Sequence, residues 1–355
     1  MKIRRKDTYT ENTEPCRLLA GICKDSDLVF SLVCRGGIRY TPLEGEEARK
    51  LDRMFNRQNC LIEVHPGHVL LPSKYEELGD RIRGMEVRSS DVWVVSYPRT
   101  GSTWLQEMVW CIGNDLDLER AKILQHLRTP LLELTVLMAN DDGEWMRDLG
   151  NSVELVENMQ SPRYIKSHLT WELLPAALST VKPKVVYITR NPKDMCVSYY
   201  HYCTLVHNMK GSFEDFCELF LKGRVPLGPI WSHIFGFWRR RHEPNILFLT
   251  YEELKRDQEA AIRKTATFLG KTLTETEVSK LANHLSFSSM RKNPSVNLEP
   301  IMTKKNGPDF LQATELRFIR KGEVGDWKNH MTPEMTTRFD AWIEENLRGT
   351  GLSLN

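Results

Sequence analysis

Short apolar runs that stop abruptly at polar turns set the pattern of this chain. Residues 92–95 (Val92, Trp93, Val94, Val95) and 185–188 (Val185, Val186, Tyr187, Ile188) are continuous, largely β-branched and too short for a buried helix. Such runs predict strands covered on both faces. Further strands are predicted at 163–166 and 245–250. Between and after them, apolar positions recur with helical spacing over 103–112, 193–205, 213–221, 230–241, 252–269, 275–284 and 334–346. Strands alternating with helices predict an α/β fold, a mostly parallel central sheet with helices on both faces. Open sheets of this kind bind ligands beyond the carboxyl ends of their strands.

The first strand runs into a turn and a hydroxyl-rich helix start, residues 92–104 reading VWVVSYPRTGSTW. Unpaired backbone N–H groups and the positive end of a helix dipole converge there, which suits an anion. The loop is P-loop-like but is not a Walker A loop, where a lysine follows the second glycine. Here Ser102 follows Gly101, and the cation, Arg99, comes earlier. One helix terminus contributes about 0.3–1 kcal/mol to a neighbouring charge, so a multiply charged ligand needs further cations.

The second strand supplies one. Residues 184–200, KVVYITRNPKDMCVSYY, end their strand in Arg190, where metal-dependent nucleotide triphosphatases commonly place an aspartate. A guanidinium grips an anion bidentately and cannot ligate a metal, and Ser198 adds a hydroxyl. Residues 161–170, SPRYIKSHLT, deliver Lys166 and His168 to one edge, because side chains at i and i+2 share a strand face. A neutral imidazole takes a hydroxyl proton near pH 7, and an ammonium stabilises charge on transferring oxygens. Each segment alone also fits a plain connection, a salt bridge or a packed histidine. Their combination points to group transfer.

The segments, in this order, resemble the cytosolic sulfotransferase family. SYPRTGSTW is similar to its 5′-phosphosulfate loop, KSHL to the segment carrying its general base, and RNPKDMCVSYY to its 3′-phosphate motif. FIRKGEVGDW (318–327) matches its RKGxxGDW segment, while LFLTYEEL (247–254) and LSFSSMRKNP (285–294) fall where it contacts adenosine. The resemblance spans roughly residues 91–347. It implies the sulfotransferase fold, 3′-phosphoadenosine 5′-phosphosulfate (PAPS) as donor, PAP as product, a small-molecule hydroxyl acceptor and no metal. By this resemblance Arg99, Thr100, Gly101, Ser102, Thr103 and Trp104 surround the 5′-phosphosulfate and the adenine. Arg190 and Ser198, with Arg320, Lys321 and Gly322, hold the 3′-phosphate; Tyr251 meets the adenine; Ser286, Phe287 and Met290 pack around the nucleoside. His168 is the general base, Lys166 touches the sulfonyl oxygens, and Arg99 shares in neutralising the developing charge.

Departures from the family pattern widen the expectation. Arg99 stands where the family usually has lysine, as in an insect relative that dehydrates retinol through a sulfonated intermediate. Sulfonation-dependent dehydration of an apolar allylic alcohol therefore stays open beside transfer, as does donor binding without catalysis. RTPLLEL (128–134) places Leu131 and Leu134 where phenylalanine is common. With Trp145 and Tyr202, these predict an apolar acceptor pocket suited to alcohols, isoprenoids or steroids over flat phenols. The dimer motif KxxxTVxxxE is half present: Lys328 and Thr332 fit, whereas Pro333 and Thr337 do not. A homodimer is left open without the family's usual contact.

Composition narrows the partners. Among 355 residues, Lys plus Arg (49) nearly balance Asp plus Glu (47), giving a net charge of +2, so neither nucleic acid nor a membrane is expected as a bulk electrostatic partner. The opening MKIRRK precedes polar TYTENTE rather than an apolar leader core, and no stretch approaches the roughly 18 apolar residues of a membrane span, so a cytoplasmic location is expected. Cys16, Cys23, Cys34, Cys60, Cys111, Cys196, Cys203 and Cys217 are scattered without a CxxC, which suits a reduced protein. His65 and His68 flank Pro66-Gly67 and read as a turn rather than a metal site. One sulfotransferase domain is expected over 86–350, with residues 1–85 an N-terminal extension or small appendage that includes hairpin-like runs at 28–40 and 60–71. Residues 137–158 exceed the family's usual connection and read as a lid over the acceptor or as a surface loop plus helix.

Overall fold

The computed structural model describes residues 37–56, 61–138 and 143–354. The chain first lays down three antiparallel strands, β1 (Arg39–Pro42), β2 (Leu61–His65) and β3 (Val69–Pro72), paired in that order. Helices α1 (Gly45–Phe55) and α2 (Tyr75–Gly84) accompany them. β2 and β3 are joined through Pro66-Gly67, with Gly67 at φ +101°, as the turn reading requires. Leu51, Ile62, Val64, Leu71 and Tyr75 of this part share one apolar core with Trp93 and Val95, so residues 38–85 belong to the same compact unit as the rest. Residues 28–36, Cys16, Cys23, Cys34 and Cys60 lie outside the described residues.

The central sheet has four parallel strands, β4 (Val92–Ser96), β5 (Tyr164–Ser167), β6 (Lys184–Thr189) and β7 (Ile246–Thr250), in the order β5-β4-β6-β7. Alternation explains why both faces are covered. Trp93, Val95, Val185 and Tyr187 enter one core, and Val92, Val94, Val186 and Ile188 the other. Register sets Val95 opposite both Ser167 and Tyr187, so the carboxyl ends of three strands finish at one level.

Helices follow those ends: α3 (Ser102–Gly113) after β4, α4 (Pro192–His207) after β6, and α7 (Tyr251–Arg256) after β7. Between α4 and β7 come α5 (Phe213–Leu221) and α6 (Ile230–Trp238). The single helix expected over 252–269 is two, because α8 (Gln258–Leu269) starts anew at Asp257. Asp257 leaves helical geometry (φ −147°, ψ 87°), and its carboxylate caps α8 by accepting from the Ala260 N–H. α9 (Glu275–His284) and α10 (Pro333–Leu347) complete the longer helices. In α10 the half-matched dimer motif has a local role, with Thr332 as cap, accepting from the Met335 N–H, and Pro333 in the first turn.

Residues 144–158 fold as two short helices, Glu144–Leu149 and Ser152–Asn158, the second capped by Asn151. Residues 139–142 and the Trp145 side chain lie outside the described residues. Cys111, Cys196, Cys203 and Cys217 are free and buried. No helix among the described residues is long and apolar enough to cross a membrane.

One ion pair ties the sheet together where its strands begin. Arg163, fully buried just before β5, donates from Nε and Nη2 to Asp91 Oδ1 and Oδ2 at 2.8 and 2.6 Å. Its remaining donors reach the Val156 and Glu86 carbonyls. Removing one partner of a buried pair strands the other charge, at a cost of about 3–5 kcal/mol. Asp91→Ala is therefore expected to lower unfolding free energy by about that amount in a urea titration, far beyond the effect of an exposed substitution.

Candidate active site

Two cavities open beyond the carboxyl ends of the central strands. The loop after β4 stands between them. Arg99 (φ +69°) and Gly101 (φ +95°) both adopt left-handed backbone, which turns the chain sharply enough to start α3 at Ser102. A Cβ on Gly101 would lie 2.6 Å from the Tyr251 ring, so the position is closed to larger residues by sterics as well as by φ. The Thr100 hydroxyl donates to the Tyr97 carbonyl at 2.9 Å and braces the turn from inside.

The first cavity is lined by Arg99, Gly101, Ser102, Thr103 and Trp104 from this loop, and by Arg190, Ser198 and Tyr251 from the ends of β6 and β7 and from α4. Phe287, Met290, Arg320, Lys321 and Gly322 close it. Thus nearly every residue expected around the nucleotide converges here. Thr100 and Ser286 do not line it: the first braces the loop, and the second caps Phe287–Lys292 by accepting from the Ser289 N–H. Phe318, Leu254 and Leu285, which belong to the segments that resemble the family but were not singled out individually, also line it, as do Lys255 and Gln258, which lie outside those segments. Phe318 carries the clearest role. Its carbonyl accepts from Arg99 Nη2 at 2.8 Å, and its ring lies 4.7 Å under the guanidinium.

Cations crowd one end of this cavity, each compensated by a carboxylate or a carbonyl. Arg190 lies over the Tyr251 ring at 4.3 Å, donates to the Glu323 carbonyl and sits 3.6 Å from Asp194. Asp194 also accepts from the Gly325 and Trp327 N–H groups at 2.7 and 3.0 Å, which ties the start of α4 to the 318–327 segment. Arg320 and Lys321 both pair with Asp326, and these donors hold that carboxyl well below the usual carboxylate range against the opposing effect of burial. Burial brings the Arg99 guanidinium down to about 10, and Arg190 and Arg320 push the same way. Its Nε donates to Ser198 Oγ at 3.1 Å.

Three buried donors in this wall have no partner among the described residues: Arg190 Nε, Arg320 Nε and Trp104 Nε1. A buried unpaired donor is costly, so these groups are matched to an acceptor-rich ligand. At Gly322 (φ +68°) a Cβ would lie 2.5 Å from the Phe287 ring, another close approach that keeps the wall thin. An anionic nucleotide fits this chemistry.

The second cavity holds Lys166, His168, Leu131, Leu134 and Tyr202. Its wall is largely apolar, aliphatic at Leu137, Met138, Val206, Ile301 and Met302 and aromatic at Phe55, Tyr199 and Phe318. Met146 of Glu144–Leu149 packs on the cluster of Met138, Leu205, Val206 and Met302 behind that wall. Arg99, Ser102, Thr103 and Phe318 line both cavities, so the two meet at the loop.

His168 sits one residue beyond β5 and is 8% exposed. Its Nδ1 lies 2.7 Å from the Ser96 carbonyl at the end of β4. A carbonyl only accepts, so Nδ1 carries the proton and Nε2 keeps its lone pair. Burial first, then the neighbouring Lys166, holds the imidazole pKa well below 6.5, so it is neutral at pH 7. Burial lowers Lys166 to about 8, partly opposed by Glu133.

Beneath both lies Glu133, fully buried and not singled out from sequence. It accepts from the His168 N–H at 2.6 Å and the Ser167 hydroxyl at 2.9 Å, and burial raises it to about 7. Two other His-containing clusters lie elsewhere: Glu63 with His65 and His68, and Glu107 with Cys111 and His284. Arg224 binds the first carboxylate and Arg128 the second, so both have an ion-pair explanation.

Comparison with known proteins agrees with this geometry. The family model for the sulfotransferase domain matches residues 89–351. Luciferin sulfotransferase of Photinus pyralis is 38% identical over 291 residues, covering 78% of this chain and 76% of that protein. Sulfotransferase 1E1 of Homo sapiens is 34% identical over 294 residues, covering 82% and 94%. Among solved structures, retinol dehydratase in complex with retinol and PAP is similar with a TM-score of 0.81 and 31% identity, over 90% of this chain and 99% of that one. The P-loop-like sheet with its basic loop and strand ends thus has its place: the chain belongs to the sulfotransferase family of enzymes.

Proposed function

We propose that this protein transfers a sulfonyl group from PAPS to the hydroxyl of a small, apolar acceptor. The observation that carries the reading is the shared wall: Arg99, Ser102, Thr103 and Phe318 border both cavities, with His168 and Lys166 on the acceptor side. When bound, PAPS supplies a sulfonyl group carried on a phosphate oxygen.

The chain's own residues do the rest. Arg190, Ser198, Arg320 and Lys321 hold one phosphate end, and the N–H groups opening α3 hold the other. Trp104, Tyr251, Phe287 and Met290 enclose the base and sugar. His168 Nε2 takes the acceptor's hydroxyl proton, while Nδ1–H stays on the Ser96 carbonyl and prevents the ring from turning. The Lys166 ammonium and Arg99 guanidinium hold negative charge on the transferring oxygens. The apolar wall excludes water, and Leu131 and Leu134 in it favour a bulky alcohol over a flat phenol.

A second outcome, sulfonation of an allylic alcohol followed by loss of sulfate and a proton from the resulting ester, is favoured by the likeness to retinol dehydratase at a TM-score of 0.81. Donor binding without catalysis is disfavoured by the presence of both Lys166 and His168.

Isothermal titration with PAP tests the donor site. Arg190→Ala is expected to weaken binding about 10- to 100-fold, the equivalent of one charge-assisted bond, and an unchanged affinity would remove Arg190 from the site. His168→Ala should lower transfer about 10²–10⁴-fold with PAP binding retained. For the wild type, kcat/KM for the donor should hold from pH 7.5 to 6.5, where an ordinary imidazole would lose about half its base form. It should then fall as pH rises through about 8, because Lys166 loses its proton there; Lys166→Arg should move that limb upward. An acceptor panel should show bulky apolar alcohols at least about 10-fold above p-nitrophenol in kcat/KM. Products separate the two outcomes: a sulfate ester means transfer, and a hydrocarbon with free sulfate means dehydration.

A further inference from the structure

We propose that Gln258 selects adenine in the donor, an inference that rests on the donor-site reading above. The nucleotide cavity combines charged and apolar wall residues. Arg190, Arg320, Lys321 and Lys255 bring cations to its wall, with Lys255 6.0 Å from the Trp104 ring, and Trp104, Leu254 and Leu285 bring apolar surface. Gln258 brings a neutral polar group into this wall, as the first residue of α8.

Its orientation is determined by chemistry. The side-chain amide donates from Nε2 to the Ala282 carbonyl of α9 at 3.1 Å. Because that carbonyl can only accept, the nitrogen must face it and Oε1 is left as the acceptor. Oε1 has no hydrogen-bond partner among the described residues, and it belongs to a side chain on the cavity wall. The backbone beneath is anchored too, since Asp257 caps α8 through the Ala260 N–H at 2.9 Å. Gln258 therefore offers a pre-oriented acceptor in the wall of the nucleotide cavity, four residues after Leu254 of the same wall.

Purines differ there in sign. Adenine carries an exocyclic amine that donates, whereas guanine and hypoxanthine carry a carbonyl oxygen at the same ring position. An amine facing Oε1 gains a hydrogen bond; a carbonyl facing it sets two lone pairs against each other. A site built around one polar partner rejects the analogue that lacks it more strongly than an apolar site could.

The test is titration calorimetry of the full chain with adenosine 3′,5′-bisphosphate and inosine 3′,5′-bisphosphate, which share both phosphates and differ at that position. The wild type is expected to prefer the adenosine ligand by about 10-fold or more. Gln258→Leu, checked for folding by its melting temperature, is expected to narrow the preference to within about threefold by weakening the adenosine ligand. Equal affinity of the wild type for both overturns the inference whatever the variant does, and leaves the donor site standing. A folded Gln258→Leu that keeps the full preference also overturns it. Binding of neither ligand to the wild type overturns the donor-site reading and this inference together.

Discussion

Gathering several cations around one cavity, with Arg190 buried among them, is the constraint around which this site is organised. Unpaired buried charges are expensive, and a cavity meant for a multiply charged anion must be stable before that anion arrives. The chain meets the cost with carboxylates placed just behind the cations. Asp194 supports Arg190, and Asp326 supports Arg320 and Lys321. Asp194 reaches across to the Gly325 and Trp327 N–H groups, so the carboxylate that offsets one charge also fixes the segment carrying two others. What stays unpaired among the described residues, the Nε groups of Arg190 and Arg320, is a small set of buried donors in the cavity wall.

The acceptor side solves the opposite problem. The proposed mechanism calls there for a neutral base, and burial keeps the His168 imidazole unprotonated. The end of β4 supplies the Ser96 carbonyl that selects the tautomer, and Glu133 receives the backbone N–H of the same histidine. Parallel pairing of β4 with β5 makes this possible, since it brings Val95 and Ser167 level and puts the residues just beyond them within reach. The placement of His168 beside the Ser96 carbonyl is a consequence of sheet register.

Much of the site could be read from local pattern. The loop at 98–103, the strand-ending Arg190 and the Lys166–His168 pair are each short, contiguous and chemically distinctive, and all face the cavities expected of them. Glu133 escaped notice because a glutamate among leucines has no local signature; its role arises only once Ser167 and His168 are folded above it. Gln258 was hidden differently. Residues 252–269 have an unbroken helical period, and only the Asp257 cap, which restarts the helix, turns Gln258 toward the cavity. Phe318 contributes a carbonyl and a ring face that no residue-type pattern distinguishes from ordinary packing.

The sequence by itself determined the α/β class, the main strands and most of the basic and hydroxyl side chains that line the first cavity, because period-two burial, β-branching and basic strand ends are properties of contiguous residues. Tertiary structure decided which carboxylate pairs with which cation, which imidazole nitrogen is free, and how Arg99 comes to stand between two cavities. Those outcomes depend on groups far apart in the chain. Arg99 and Phe318 lie 219 residues from each other, and Asp91 and Arg163 lie 72. No local periodicity encodes such pairs. They are selected by the desolvation cost of leaving buried charges and buried donors without partners, a cost felt only when the whole chain has closed around them.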